Sequence, residues 1–138
     1  LEKALMRGDL PVPDLPNAWN EAFESSFGTR PPDDLQGCLQ DIHWYDGAFG
    51  YFPTYTLGAL AAAQLFSAAR KDHPDMLSKI SKGDFSTLLN WLRKNVHSIG
   101  SALSTEEILT KATGSSLSTT SFLAHLNSRY LGESSKTY

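Results

Sequence analysis

Cysteine is nearly absent from this sequence: Cys38 stands alone among 138 residues. No internal disulfide can form, which fits a reducing compartment and points to the cytoplasm. A surplus of charge of one sign is also missing. Twelve basic and fifteen acidic side chains leave a formal net charge of -3, and neither kind gathers into a long run. Nucleic acid and anionic membrane surfaces are therefore not expected partners. Long hydrophobic runs are lacking too. The most apolar stretch, LGALAAAQLF, falls well short of the roughly 20 apolar residues that cross a bilayer. The opening LEKALMRG has neither the charged-then-apolar layout of a secretory signal nor the acid-poor composition of a transit peptide. No internal repeat and no strand pair is recognisable.

What remains is a succession of helix signals. A chain of this length can bury roughly 68% of its unfolded surface, enough for one core. LEKALMRG predicts the last two turns of a helix closed by Gly8, so the chain is expected to be the downstream part of a longer polypeptide. DLPVPDLP, with three prolines in eight residues, predicts an extended connector. Trp19, Phe23 and Phe27 recur at helical spacing, and Gly28 marks a stop. Pro53 can open a helix that runs through an alanine-rich stretch to about Lys71, where Ala61, Ala62 and Ala63 suggest close packing on a neighbour.

A short helix is predicted from Pro74 to near Gly83. Asp84 can cap the next, whose stripe is Phe85, Leu88, Leu89, Leu92 and Val96. Ser104 and Glu107 have the spacing of a capping box before a helix that ends at Gly114. Ser118 can cap the last helix, which carries Phe122, Leu123, Leu126 and Tyr130. ESSKTY is expected to be a frayed tail. The fold class is all-α, with about six helices.

One segment is out of character. GCLQDIHWYDGAFGYFPTYTLG, residues 37–58, places Gln40, Asp41, His43, Trp44, Asp46, Tyr51 and Tyr55 among glycines and a proline. A glycine-and-aromatic connector between helices is commonly a packed loop. Here the proton-bearing groups are dense: His43, Tyr51 and Tyr55 lie within thirteen residues. A carboxylate beside an imidazole fixes its tautomer and orientation, and a phenol can be aimed at a developing oxyanion. Asp41 and Gln40 are close enough in sequence to orient His43.

The same residues carry a resemblance. GCLQDIHW matches G-x-x-Q-D-x-H-W, and GAFGYFPTYTLG matches G-x-x-G-Y-F-P-T-Y-x-L-G, both signatures of the M32 metallocarboxypeptidases, the carboxypeptidase Taq group. LEKALMRGDLPVPDLPNAWNE also resembles the segment that precedes those motifs in that family. The resemblance implies a mostly helical, zinc-dependent exopeptidase that removes single residues from the C-termini of peptides and is usually a homodimer. It implies that residues 1–138 are one C-terminal helical segment of a larger zinc-peptidase fold, with the catalytic-loop motif at 37–58 and a helical tail over 72–132. His43 and Tyr51 become the candidate catalytic residues, as oxyanion donors. Gln40, Asp41 and Tyr55 become the candidate substrate-binding residues.

The family holds zinc through H-E-x-x-H, and no such motif occurs here. His43, His73, His97 and His125 include no pair at that spacing. Zinc is thus expected to be held by the rest of the polypeptide, and this segment is expected to be inactive alone. His73, His97 and His125 are expected to be structural, Cys38 a buried and inert thiol, and Trp44, Phe49 and Phe52 packing groups that hold the loop. Ser115 and Ser116 fall in a linker-like turn with nothing to activate them. The alternative function is a non-catalytic helical module that docks a peptide or protein.

Overall fold

Proline and glycine punctuate the helices of this chain, whose computed structural model describes residues 1–132. The expected tail, ESSKTY, lies outside the described residues. Among the described residues the regular structure is helical throughout, with no strand. The all-α expectation holds, and the residues divide into two units, Leu1–Pro53 and a second that begins at Thr54.

In the first unit, α1 spans Glu2–Arg7 and stops at Gly8, α2 spans Leu15–Phe27 and stops at Gly28. Both glycines have positive φ, 78° and 71°, the left-handed conformation that lacks a steric penalty only without a Cβ. The connector between the two helices is not fully extended as expected: Val12–Asp14 makes a 3-10 turn. A proline φ suits either conformation, and the Asp14 N–H closes on the Pro11 carbonyl at 3.0 Å. Phe23 and Phe27, one turn apart, bring their rings to 4.6 Å. A second 3-10 turn, Cys38–Gln40, leads into the four-residue helix α3, Ile42–Tyr45. The motif segment is therefore more helical than its glycines suggest, and Cys38 is buried beneath it.

The boundary between units falls in the first turn of α4, Pro53–Asp72. Proline at its first position gives up an N–H that no helical carbonyl would accept. Of Ala61, Ala62 and Ala63, the middle one is exposed; the alanine that packs fully is Ala69. α5, Met76–Ile80, begins after Pro74 rather than at it, because a turn through His73 intervenes, closed by Met76 N–H on the His73 carbonyl.

α6 spans Ser86–Asn95; Phe85 stands at the cap position where Asp84 was expected, and Asp84 accepts the Ser86 N–H at 2.9 Å. Its buried face departs from the expected stripe. Leu88 and Leu92 pack inward, but Trp91 lies between them, while Phe85 and Leu89 are exposed. Positions 88, 91 and 92 are spaced i, i+3, i+4 and face one way. Trp91, Met76 and Ala69, from three successive helices, form the core, with Leu65, Phe66 and Ile80 against it. Fully burying a side chain such as Met76 contributes about 1.5–3 kcal/mol. The indole N–H of Trp91 donates to Asp72 at 2.7 Å, so its one polar atom enters the core satisfied.

A 3-10 turn, His97–Ile99, precedes α7, Thr105–Thr113. α7 has the expected capping box of Ser104 and Glu107 and the expected stop at Gly114. α8, Thr120–Leu126, continues into a π-helical turn, Asn127–Leu131. Ser118 does not cap α8, as its sequence position suggested. Its N–H donates instead to Gln64 Oε1 on α4 at 3.1 Å, and Thr119 stands at the cap position.

Candidate functional site

Asp41 enters α3 with extended backbone, so its side chain folds back over the first turn. Its Oδ1 accepts the backbone N–H of His43 at 2.9 Å and lies 3.1 Å from His43 Nδ1. Capping and ring orientation are thus performed by one atom. The Asp41 side chain is 8% exposed and that of His43 16%. A carboxylate at Nδ1 favours a proton on that nitrogen.

The imidazole lies between two rings. Tyr51 stacks on it with centroids 5.7 Å apart and planes inclined by 25°, and Phe52 meets it edge-on at 5.0 Å. Tyr51 remains 49% exposed, so the phenol borders solvent while its ring rests on His43. Asp41, His43 and Tyr51 are therefore brought together. Gln40 is exposed and its amide nitrogen donates to the Leu35 carbonyl, outside this group. Tyr55, 58% exposed, sits in the first turn of α4 in the second unit. Trp44 meets Trp19 of α2 edge to face at 6.3 Å. Phe49 is exposed, as is Asp46.

Sequence reasoning missed Glu2. Its carboxylate accepts the indole N–H of Trp44 at 3.1 Å through one oxygen and the backbone N–H of Gly50 through the other. These partners lie 42 and 48 residues away, and a lone glutamate near a chain end carries no local signal of such contacts. It also missed Gln64, only 5% exposed. The Gln64 amide nitrogen lies within 3.1 Å of Thr113 Oγ1, Ser115 Oγ and the carbonyls of Ser115 and Ser116.

Among the described residues no three His, Cys, Asp or Glu side chains are placed to hold a metal ion. The donors those residues supply form no set that fits a metal. Hydrogen bonds displace the titration of groups elsewhere in the chain. A hydrogen bond from Lys79 at 2.8 Å lowers Asp75, and the reciprocal bond raises Lys79. Hydrogen bonds from Ser86 lower Asp84, and those from Ser104 lower Glu107. An imidazole protonated on both nitrogens, side by side with a phenol, can offer two donors to one developing oxyanion.

A profile of the carboxypeptidase Taq (M32) metallopeptidases matches residues 1–130. Thermostable carboxypeptidase 1 of Pyrococcus furiosus is 40% identical over 131 residues, and the protein of the same name from Thermus thermophilus is 42% identical over 130. These alignments cover 95% and 94% of this chain but 26% of either relative. Among solved structures, Trypanosoma cruzi metallocarboxypeptidase 1 matches with a TM-score of 0.89 at 41% identity, over 94% of this chain and 28% of that one. The M32 carboxypeptidase of Deinococcus radiodurans matches with a TM-score of 0.89 at 38% identity, over 94% and 26%. The chain therefore spans little more than a quarter of the length of these proteins.

Proposed function

The chain belongs to the carboxypeptidase Taq (M32) metallopeptidase family, and from that footing we propose that residues 1–138 are the part of a zinc-dependent carboxypeptidase that stabilises the transition state. The substrate is a peptide, from which a single C-terminal residue is removed. Addition of water to the scissile carbonyl carbon puts negative charge on its oxygen, and donors placed in advance for that charge lower the barrier. His43 and Tyr51 act as those donors. Asp41 holds the ring and, with Gln40 and Tyr55, is assigned to substrate binding. Zinc belongs to polypeptide outside this chain. The working form is a homodimer in the cytoplasm.

The observation that carries the reading is the group Asp41, His43 and Tyr51: a carboxylate 3.1 Å from one ring nitrogen, with a half-exposed phenol stacked on the same ring. The test is Tyr51→Phe in the longer polypeptide that carries this segment. Loss of a principal oxyanion donor lowers kcat by about 10²–10³-fold, with bound metal unchanged. An unaltered kcat would remove Tyr51 from the role. A longer polypeptide that binds peptides but releases no C-terminal residue would favour the docking-module reading.

A further inference from the structure

His43 is followed directly by Trp44, and Tyr51 is preceded directly by Gly50. Those two flanking residues are the ones the Glu2 carboxylate holds, Trp44 through its indole N–H at 3.1 Å and Gly50 through its backbone N–H. We propose that Glu2 is a positioning residue: one carboxylate, gripping both ends of the 44–50 loop, fixes the spacing and tilt of the His43 and Tyr51 rings.

Four observations favour this over a plain anchor for α1. Both partners are donors, and the two oxygens of one carboxylate accept one each. The loop between the grips is pinned from inside as well, by the Gly47 N–H on the Trp44 carbonyl at 3.1 Å and the Ala48 N–H on the His43 carbonyl at 2.8 Å. A displacement at either grip therefore passes to the neighbouring ring instead of being absorbed. Gly50 has φ of 76°, a conformation that L side chains rarely adopt, and in that conformation its N–H meets Glu2. Trp44 also meets Trp19 edge to face at 6.3 Å.

The catalytic consequence rests on the function proposed above, but the positioning itself can be measured without activity. Glu2→Gln preserves volume and exchanges one acceptor for a donor. In the longer polypeptide that carries this segment, nuclear Overhauser contacts between the His43 and Tyr51 ring protons should weaken at least about twofold, and the Trp44 indole and Gly50 amide resonances should move, as expected when a hydrogen bond to a carboxylate is lost. Trp44→Phe, which keeps the Gly50 bond, should shift the ring contact in the same direction by less, and it serves if Glu2→Gln does not fold. In the longer polypeptide, Glu2→Gln should lower kcat by about 10- to 10²-fold, with KM nearly unchanged, because a small misplacement of reacting groups is enough. Combined with Tyr51→Phe it should add little, as coupled groups do. Unchanged ring contacts in both variants overturn the inference. Ring contacts that weaken while Tyr51→Phe leaves kcat intact would uphold the positioning and sink the catalytic assignment instead.

Discussion

Asp41 and His43 meet twice through a single oxygen, which accepts the backbone N–H at 2.9 Å and stands 3.1 Å from the ring nitrogen. One atom starts a helix and orients a ring, and substitution can separate the two roles. Asparagine caps helices about as well as aspartate but carries no charge to set against the imidazole. Asp41→Asn in the longer polypeptide should leave the melting temperature nearly unchanged while lowering kcat by about 10- to 100-fold, the range seen when a histidine loses its orienting partner. Asp41→Ala should lose the cap as well, at a further cost of about 0.5–2 kcal/mol. Thermal unfolding and steady-state kinetics on the pair of variants check both halves.

The face that α6 buries can be tested by contrast. Trp91, 4% exposed, packs with Met76 and Ala69 and donates to Asp72. Trp91→Ala should cost about 3–5 kcal/mol, the usual result of emptying an aromatic site in a core. Leu89→Ala, on the exposed side of the same helix, should change stability by no more than about 0.5 kcal/mol. Denaturant midpoints that reversed this order would restore the stripe first expected from the sequence.

Gln64 offers a third test. Its amide nitrogen serves acceptors on Thr113, Ser115 and Ser116, and its carbonyl takes the Ser118 N–H. Gln64→Leu keeps the bulk but strands polar groups at about 1–3 kcal/mol of destabilisation. Amide exchange at Ser118 should quicken in that variant before any global unfolding is seen.

The capping box of α7 predicts a pH dependence. Hydrogen bonds from the Ser104 side chain and backbone hold the Glu107 carboxyl below the ordinary glutamate range. A carboxyl lowered in the folded state contributes stability that is complete above its unfolded pKa and is lost as pH falls through the folded one. Stability of the wild-type chain should therefore decline on acidification more steeply than that of Ser104→Ala. A side-chain carbon titration of Glu107 should show its midpoint rising in the variant.

Much of the helical layout was legible because it rests on local chemistry. Ser104 and Glu107 are three residues apart, Gly28 and Gly114 sit where a helix must reverse its backbone sense, and Asp84 lies two residues from the N–H it accepts. The motif residues also announced Asp41, His43 and Tyr51, whose proximity depends on one short helix and one glycine-rich bend. Glu2, Gln64 and Trp91 were not legible. Each acts across a separation of 19 to 54 positions in the sequence, and nothing near them in sequence records the partner. The 3-10 turn at Cys38–Gln40 and the helix α3 were hidden for another reason: glycine depresses helix propensity on average, while an aspartate cap at the right residue overrides that average.

The stretch Gly114–Ser118 has the composition of a spacer that engineers would choose for splicing in a tag or cutting with a protease. Its serines are lashed to one buried amide on α4. Lengthening this stretch by even a few residues would slacken that lashing, so the place that looks most permissive to modification is one of the least.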